Sequence, residues 1–245
     1  MGLIGRILSF VRTQRNGAQI SDVKTDPGGG PNVTAEHFAP AGDDAHPLPD
    51  DYVYAARSPQ RGRYAAVGYV DTSNASKAQP GEKRIYSRDS GGTQKAEVWL
   101  KADGTVVCEN ENGRTTLAPD GSFTAESPAG TLQLTASGQA TAFNASGSAT
   151  LTPDGSFAAV NAAGSMTLAA NGSILGQNAA GQFALQDNGN FVVNGVTIAP
   201  GGSIVAPGGI QTPSAEVNGV EVAGHTHAQA NDSGGNTEQD TGPMQ

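Results

Sequence analysis

The chain has 245 residues, and hydrophobic residues make up 36% of them, which is a lean supply for a monomer with a broad core. The net charge is −9, and all 14 Lys and Arg residues lie at or before Arg114, so the second half has no basic face for nucleic acid. The single cysteine excludes a disulfide within the chain, and no apolar stretch is long enough to span a membrane as a helix.

Residues 1–16 begin with a short apolar run that Arg6 interrupts, and no small-residue cleavage site follows, which argues against a secretion signal. The spacing of the apolar residues places them on one face of a helix. We therefore predict a short amphipathic helical anchor that docks on a partner, with a frayed terminus as the alternative. The apolar residues of this face are Leu3, Ile4, Ile7, Leu8 and Val11.

Residues 17–95 are predicted to form a small barrel. Five candidate strands begin in this region, polar or Pro/Gly-rich loops separate them, and most aromatic residues lie in or near it. Short strands joined by long loops favour a closed barrel of the OB type. The candidate strands are residues 18–25, 52–58, 63–71, 82–89 and 95–102.

OB barrels often bind nucleic acid, and this function requires an aromatic platform in a basic groove. Six basic residues are candidates for such a groove, but acidic residues balance their charge over the region. A structural or docking barrel is therefore the better interpretation, and we predict no nucleic-acid partner. The six residues are Arg57, Arg61, Arg63, Lys83, Arg84 and Arg88.

Residues 96–205 contain a repeat of turn glycines. From Gly104 to Gly189 the spacings alternate between 9 and 8 residues, which gives a 17-residue repeat with two turns. Dipeptides such as Asp-Gly and Asn-Gly supply the positive φ of tight turns. The second and fourth residues after each glycine are mostly apolar, and those between are mostly small or polar. This alternation predicts short strands with one apolar face, on pairs such as Phe123 and Ala125 or Leu132 and Leu134.

Strands of this kind favour assembly from several chains. Each offers two inward side chains, and burying a large one contributes roughly 1.5–3 kcal/mol, whereas ordering each residue's backbone costs on the order of 1–2 kcal/mol. A monomer would also leave long unpaired edges. We therefore predict an intertwined homotrimer, a triple-stranded β-helix in which strands pair with those of the other chains around a narrow shared core. A single-chain β-solenoid is the alternative.

Two histidines near the C-terminus, His225 and His227, have one residue between them. In an extended segment their side chains point the same way, so a trimer would bring six imidazoles together at one axis. Six nitrogens suit an octahedral ion such as iron or nickel, whereas structural zinc usually takes four ligands. Because no coordination position remains for substrate, the ion would be structural. His37 and His46 lie in polar loops and are predicted to be solvated.

The sequence offers no catalytic constellation. Glycan cleavage would need paired carboxylates, but between Glu126 and Glu216 the only charged residues are Asp154 and Asp187. These two, like Asp103 and Asp120, lie beside turn glycines, where Asp is expected on conformational grounds. Cys108 falls on an inward position and is predicted to be an inert, buried thiol. We predict a structural protein without enzymatic activity.

Three parts of the sequence are similar to one family. The run PGEKRIYSRDSGGTQKAEVWLKADGTV, the repeat that follows it, and the C-terminal sequences GHTH and TGPMQ resemble the Mu-like baseplate assembly proteins. These proteins are the central tail spikes of contractile-tailed phages. The resemblance covers essentially the whole chain. It implies a trimer with an OB-fold collar, a triple-stranded β-helix over residues 96–205 and a pointed apex over residues 206–245.

The resemblance also implies a function. Members of this family lie at the baseplate tip of the virion, attached to hub and tail-tube proteins, and are driven through the host outer membrane when the sheath contracts. Related spikes bind iron through a His-X-His motif at the apex. This motif maps onto His225, Thr226 and His227, so one iron ion per trimer is expected, held by six His nitrogens.

Two other functions are compatible with parts of this pattern. A trimeric receptor-binding tail fibre or adhesin could share the rod, but it would need a more elaborate C-terminal domain than the forty or so residues that follow the repeat. A nucleic-acid-binding OB protein with a β-rich tail is the second alternative, and binding assays would separate it from a spike.

Overall fold

The computed structural model describes residues 2–58, 63–209, 216–217 and 220–221. These residues form 22 strands joined by turns and loops, which confirms the all-β class predicted from the sequence. The described part contains no helix that is long and apolar enough to cross a membrane. The chain divides into two compact units, residues 1–162 and 163–245.

The first five strands form a closed barrel in the first unit. The strand order is β1-β2-β3-β5-β4, and β3 and β5 run parallel whereas the other neighbours run antiparallel. The strands are β1 (Gly2–Arg15), β2 (Ala18–Asp26), β3 (Val33–His37), β4 (Tyr52–Arg57) and β5 (Tyr64–Val70).

The barrel has its own hydrophobic core. Six fully buried apolar side chains fill it, and Leu3, Phe10, Tyr64 and Tyr69 pack against them. Three of the six are alanines, which suit the narrow interior of a five-stranded barrel because larger side chains from facing strands would collide. The six residues are Ile7, Val23, Ala35, Val53, Ala55 and Ala66.

The predicted helix over residues 1–16 is wrong, because β1 is a strand that pairs with both β2 and β4. Leu3 and Ile7 face inward, whereas Ile4 and Val11 are 66% and 49% exposed. A bulge between Ile7 and Ser9 shifts the register. A bulged strand breaks the two-residue period and can imitate the three- and four-residue spacing of a helix.

The predicted barrel strands are also corrected in part. Residues 82–89 and 95–102 contain β6 and β7, which belong to the following sheet. The sequence-based prediction also lacked two strands of the barrel, β1 and β3. The barrel therefore spans residues 2–70 instead of 17–95. β1 carries a recognisable signal, since Asn16 and Gly17 form its turn to β2 with φ angles of 51° and 79°. An Asn-Gly dipeptide between two strand-length runs is typical of a hairpin.

In the first unit the barrel is followed by a sheet in which each strand runs antiparallel to the next along the chain. The strands are β6 (Lys83–Arg88), β7 (Gln94–Leu100), β8 (Val106–Asn110), β9 (Gly113–Leu117), β10 (Phe123–Ser127), β11 (Gly130–Leu134), β12 (Ala140–Asn144), β13 (Gly147–Leu151) and β14 (Phe157–Asn161).

The second unit has the same antiparallel order from β15 to β20 and a separate pair of short strands, β21 and β22. The strands are β15 (Gly164–Leu168), β16 (Ile174–Asn178), β17 (Gly181–Leu185), β18 (Phe191–Val193), β19 (Val196–Ile198), β20 (Ile204–Val205), β21 (Glu216–Val217) and β22 (Val220–Glu221).

Strand pairing differs from the sequence-based prediction. Each strand from β7 to β13 is hydrogen-bonded on both edges to its neighbours in the same chain. Backbone groups that are already paired within one chain cannot also pair with strands of another chain. In this structure the strands from β7 to β13 therefore pair within one chain, whereas the sequence pattern predicted pairing with strands of other chains.

The alternating glycine spacing comes from two kinds of turn. Connections of five residues, such as 152–156, contain a glycine with positive φ, as at Gly155 with φ 86°. Connections of two residues, such as 128–129, are followed by a glycine for a different reason: a Cβ at Gly130 would lie 2.8 Å from the carbonyl oxygen of Phe143 on the next strand. The expectation of positive φ is therefore confirmed for alternate glycines. Close approach of a neighbouring backbone explains Gly113, Gly130, Gly147 and Gly164, whereas a Cβ at Gly181 would meet the side chain of Asn194.

Candidate functional site

One face of the sheet in the first unit carries two rows of mainly apolar side chains. Each row consists of residues that are directly paired from strand to strand, and such residues project on the same side of a sheet. From Val106 onward, these residues are the second and fourth positions after each repeat glycine, as predicted from the sequence, and β7 extends both rows by one residue. The first row contains Leu100, Val106, Leu117, Phe123, Leu134, Ala140, Leu151 and Phe157, and the second contains Val98, Cys108, Thr115, Ala125, Leu132, Ala142, Ala149 and Ala159.

This apolar face is uncovered in the single chain. Leu117, Leu132 and Leu151 are 46%, 51% and 48% exposed, although their positions in the pattern are those of a core. Soluble monomers rarely expose contiguous apolar patches of more than a few hundred Å². The face therefore has the composition of an interface.

The second unit has equivalent rows. Its apolar side chains include Met166 and Phe183, which are 48% and 42% exposed. Gly176 lies opposite Phe183, and a Cβ at this glycine would collide with the phenyl ring. The rows contain Leu168, Ile174, Leu185, Phe191, Ile198 and Ile204, and Met166, Gly176, Phe183, Val193 and Val196.

The opposite face of the first unit is mainly polar. Its central row consists largely of threonine and glutamine, and the hydroxyls of Thr141 and Thr150 are within 3.4 Å of each other on neighbouring strands. Phe143 and Val160 are exposed exceptions on this side. The sheet is therefore amphipathic, with Thr116, Thr124, Gln133, Thr141 and Thr150 on its polar face.

Cys108 lies on the apolar face, between Val98 and Thr115 of the flanking strands, as its place in the repeat predicts. The prediction that it is buried is wrong for the single chain, where the cysteine is free and exposed. The reason is that no other layer covers this part of the apolar face. The accessibility of the Cys108 thiol can therefore show whether another chain covers this part of the apolar face.

The carboxylates predicted to lie beside turn glycines accept hydrogen bonds from turn residues, Asp154 within its own turn and Asp187 from the preceding five-residue turn. Asp154 Oδ1 accepts hydrogen bonds from the Ser156 amide at 2.9 Å, the Ser156 hydroxyl at 2.6 Å and the Thr152 hydroxyl at 2.5 Å. The bond from the Ser156 hydroxyl contributes most to lowering the pKa of Asp154 to about 2, followed by the bonds from Thr152 and the Ser156 amide. Asp187 accepts a hydrogen bond from Asn171 at 3.3 Å.

Two of the six candidates for a basic groove are enclosed. The Arg84 side chain is 4% exposed, forms an ion pair with Glu97, and lies 5.7 Å from the centre of the Trp99 ring. The Arg88 side chain is 13% exposed and forms an ion pair with Asp51 at 2.6 Å. Charges that are paired internally are not free to bind phosphates. Arg61 lies outside the described residues.

The barrel histidines have partners that the sequence did not predict. His37 ends β3, where its Nδ1 shares a hydrogen bond with the Tyr69 hydroxyl, and burial lowers the pKa of His37 despite the nearby charges of Asp43 and Asp44. The prediction that His37 is solvated is therefore wrong. His46 is exposed, and its ring lies 4.2 Å from the Phe10 ring. These aromatic contacts could be found only once the barrel had closed.

The predicted metal ligands His225 and His227 lie outside the described residues. Within the described part of the chain, no group of three or more His, Cys, Asp and Glu side chains is placed to hold a metal ion. The metal site stays a prediction from the sequence.

No family model and no curated protein matches this chain. Among solved structures, the wild-type TCP10 domain of Danio rerio CPAP is similar at 12% identity, over 81% of this chain and 98% of that one, with a TM-score of 0.33. The same domain with a peptide of Danio rerio STIL has 11% identity, the same coverage and a TM-score of 0.33. The CPAP G-box domain has 13% identity over 80% of this chain and 97% of that one, with a TM-score of 0.25. TM-scores this low support no inference about function.

Proposed function

We propose that this chain is the central spike of a contractile phage tail, a homotrimer whose tip is driven through the host outer membrane. The observation that carries the proposal is the uncovered apolar face, which has two continuous rows of side chains in the first unit and equivalent rows in the second. Three such faces turned toward one axis would bury both rows. The polar faces would then form the outside of a rod with few charges.

In the proposed triple-stranded β-helix, each chain keeps the strand pairing that it has in the single chain. Because inner strands are paired on both edges, three whole sheets pack face to face and wind about the axis, without exchanging strand partners. The mixture of large and small side chains in the rows suits a narrow interior, since Leu132 faces alanines at 125 and 142 on the adjacent strands.

The barrel is proposed to be an OB-type collar that docks on hub and tail-tube proteins. The closed five-stranded order and the parallel pair β3 and β5 support an OB fold. The enclosure of Arg84 and Arg88 argues for a docking barrel over one that binds nucleic acid. We propose no enzymatic activity, because the carboxylates of Asp154 and Asp120 accept hydrogen bonds within their own turns.

The proposed apex holds one iron ion per trimer through His225 and His227 of each chain. This part of the proposal comes from the sequence and the family resemblance. A narrow tip has little interior to bury, so a metal that crosslinks three chains would hold the ends together where apolar contacts are scarce.

Assembly is tested by placing a charge on each face of one strand. Leu132→Asp would put three carboxylates in the shared core, whereas Gln133→Asp changes the neighbouring residue on the polar face. We expect native mass spectrometry to find trimers for wild type and Q133D and single chains for L132D, because unpaired buried charges are costly. A wild-type protein that is a single chain at micromolar concentration would contradict the trimer.

Thiol labelling of Cys108 gives a second readout. The thiol is exposed in the single chain, so it should react fast in L132D and slowly in wild type and Q133D. Labelling at the same fast rate in all three proteins would place Cys108 outside any interface.

The place of the chain in the virion separates a spike from a fibre. Antibodies against the chain should label the tip of the tail baseplate. Labelling of lateral fibres would instead favour a receptor-binding fibre.

A further inference from the structure

A cluster of largely buried charges lies where the barrel meets the first hairpin of the sheet, within the first unit. Arg88 ends β6 and donates two hydrogen bonds to Asp51, from Nη1 to Oδ1 at 3.0 Å and from Nη2 to Oδ2 at 2.6 Å. The same guanidinium lies 2.9 Å from Asp71 Oδ1. Asp51 directly precedes β4 and Asp71 directly follows β5, so one cation connects two barrel strands to the sheet.

The segment between β5 and β6 belongs to the same cluster. Asp71 accepts hydrogen bonds from the Ser73 amide at 2.8 Å and from the Tyr86 hydroxyl at 2.7 Å. The Asn74 side-chain amide donates to Asp71 at 2.8 Å and to the carbonyl of Gly92, in the turn between β6 and β7, at 2.9 Å. The first four residues of this segment, 71–74, are therefore bonded both to the barrel, through Thr72 and the carbonyl of Asp50, and to the hairpin, through Asn74 and Gly92.

The cluster depends on one cation. The side chains of Asp51, Asp71 and Arg88 are 3%, 11% and 13% exposed. Burial alone would raise the pKa of Asp71, but hydrogen bonds from Tyr86 and Asn74 and the charge of Arg88 lower it. The hydrogen bond to Asp51 raises the pKa of Arg88. Removal of Arg88 would leave two largely buried carboxylates facing each other with no cation between them.

We propose that this cluster is a clasp that joins the barrel and the first hairpin into one mechanical body. The clasp forms within a single chain, so it does not rest on the proposed assembly. In a spike it would carry axial load from the barrel into the sheet, because residues 71–74 are bonded to both parts and Arg88 connects them directly. In any other setting it would still fix the orientation of the barrel on the hairpin.

The test measures whether the amides of the barrel and of the hairpin lose protection from hydrogen exchange at the same urea concentration. In the full chain, we compare wild type with Arg88→Met and with Lys95→Met, which removes a cation whose side chain is 45% exposed and which pairs with Asp89 and Glu111 of the same sheet. Hydrogen–deuterium exchange across a urea series is followed in peptides from β4 and β5 and in peptides from β6 and β7. Trp99 fluorescence reports separately on the sheet, since it is the only tryptophan.

For wild type and K95M we expect barrel and hairpin peptides to lose protection at the same urea concentration. For R88M we expect two separate transitions, with the peptides of β4 and β5 exchanging first. A single transition that is merely shifted to lower urea would overturn the clasp, since the cluster would then add stability without joining the two parts.

A second variant covers the case in which R88M does not fold. The triple variant Asp51→Asn, Arg88→Met, Asp71→Asn removes all three charges and leaves no buried carboxylate unpaired. It is expected to fold with separate transitions, and coincident transitions in it would overturn the proposal. The association state of each variant, measured by native mass spectrometry, keeps the result distinct from the question of trimer formation.

Discussion

The acidic residues of the five-residue turns accept hydrogen bonds from the amide two positions further along the chain. Asp103, Asp120 and Asp154 each bond in this way, at 2.9 Å in all three cases. The amide bond is the largest cause of the lowered pKa of Asp103, whereas the hydroxyls of Ser122 and Ser156 contribute most to lowering the pKa of Asp120 and Asp154, with the amides adding to the effect. At the scale of the residue, these acids therefore stabilise the turns to which they belong.

The pKa of Asp154 leads to a prediction about acid stability. Its pKa is about 2 in the folded chain, against an ordinary value of 3.8. Because the folded pKa is the lower one, the carboxylate contributes stability above the ordinary value, and this contribution is lost as the pH falls toward about 2.

Asp154→Asn should therefore lose less stability than wild type when thermal unfolding is followed from about pH 5 to about pH 2. An NMR titration of the Asp154 carboxyl provides the direct measurement. A midpoint near the ordinary value would show that the turn hydrogen bonds do not favour the charged form.

The hairpin is the repeating element of this protein. Five-residue and two-residue connections alternate, and each five-residue strand adds one side chain to each of the two apolar rows. A glycine with positive φ permits the longer turn, whereas a glycine opposite a neighbouring backbone permits the shorter one. The 17-residue repeat thus contains two glycines with different physical requirements.

Substitution of a glycine of the second kind should be costly. In Gly130→Ala the new Cβ would lie 2.8 Å from the Phe143 carbonyl oxygen, so the strands must separate. We expect a loss of about 1–3 kcal/mol in the free energy of unfolding, as for other overpacked sites.

Urea unfolding of the full chain measures this loss. Gly201→Ala is the matched control, because its Cβ would meet nothing within 4 Å and its φ is not positive. Its stability should be unchanged or slightly raised, since alanine restricts the unfolded chain. Equal losses in both variants would rule out close backbone approach as the reason for Gly130.

At the scale of the whole molecule, the two parts of the first unit differ in how they are stabilised. The barrel buries six apolar side chains within one chain, including Ile7, Val23 and Val53. The sheet leaves large apolar residues exposed, such as Leu117 and Leu151. The barrel therefore has a core of its own, whereas the apolar face of the sheet stays exposed in the single chain and is the surface that we propose for assembly.

The proposed metal gives a prediction at the same scale. The double variant His225→Ala, His227→Ala should lose its iron, from one ion per three chains to none, by elemental analysis of the purified protein. It should still be a trimer, because the apolar rows remain, but with a lower Tm, since a ligand that binds only the folded state stabilises it.

His46→Ala is the control for this metal prediction, because that histidine is exposed on the barrel. Its iron content should equal that of wild type. Iron retained by the double variant, or absent from wild type, would exclude the proposed apex.

The sequence alone determined the repeat, the approximate position of its strands and the residues of its apolar face. These properties are local, because a two-residue alternation and a turn glycine act over a few neighbouring positions. The predicted pairs Phe123 with Ala125 and Leu132 with Leu134 therefore lie on one face in the structure. The spacing of the turn glycines likewise predicted the length of each hairpin, because it is set by neighbouring residues along the chain.

Only the tertiary structure decided which segments close the barrel and which residues meet at the junction. The apolar spacing in β1 predicted a helix, and only the pairing with β2 shows that this spacing comes from a bulge. Arg88 was a candidate for a basic groove, and only the folded chain brings Asp51 and Asp71 beside it. Asp51 and Arg88 are 37 positions apart, and no local pattern encodes such a contact. The physical reason is that barrel closure and burial of charge depend on pairings between distant strands, which are specified by packing of the whole chain and not by the period of any one segment.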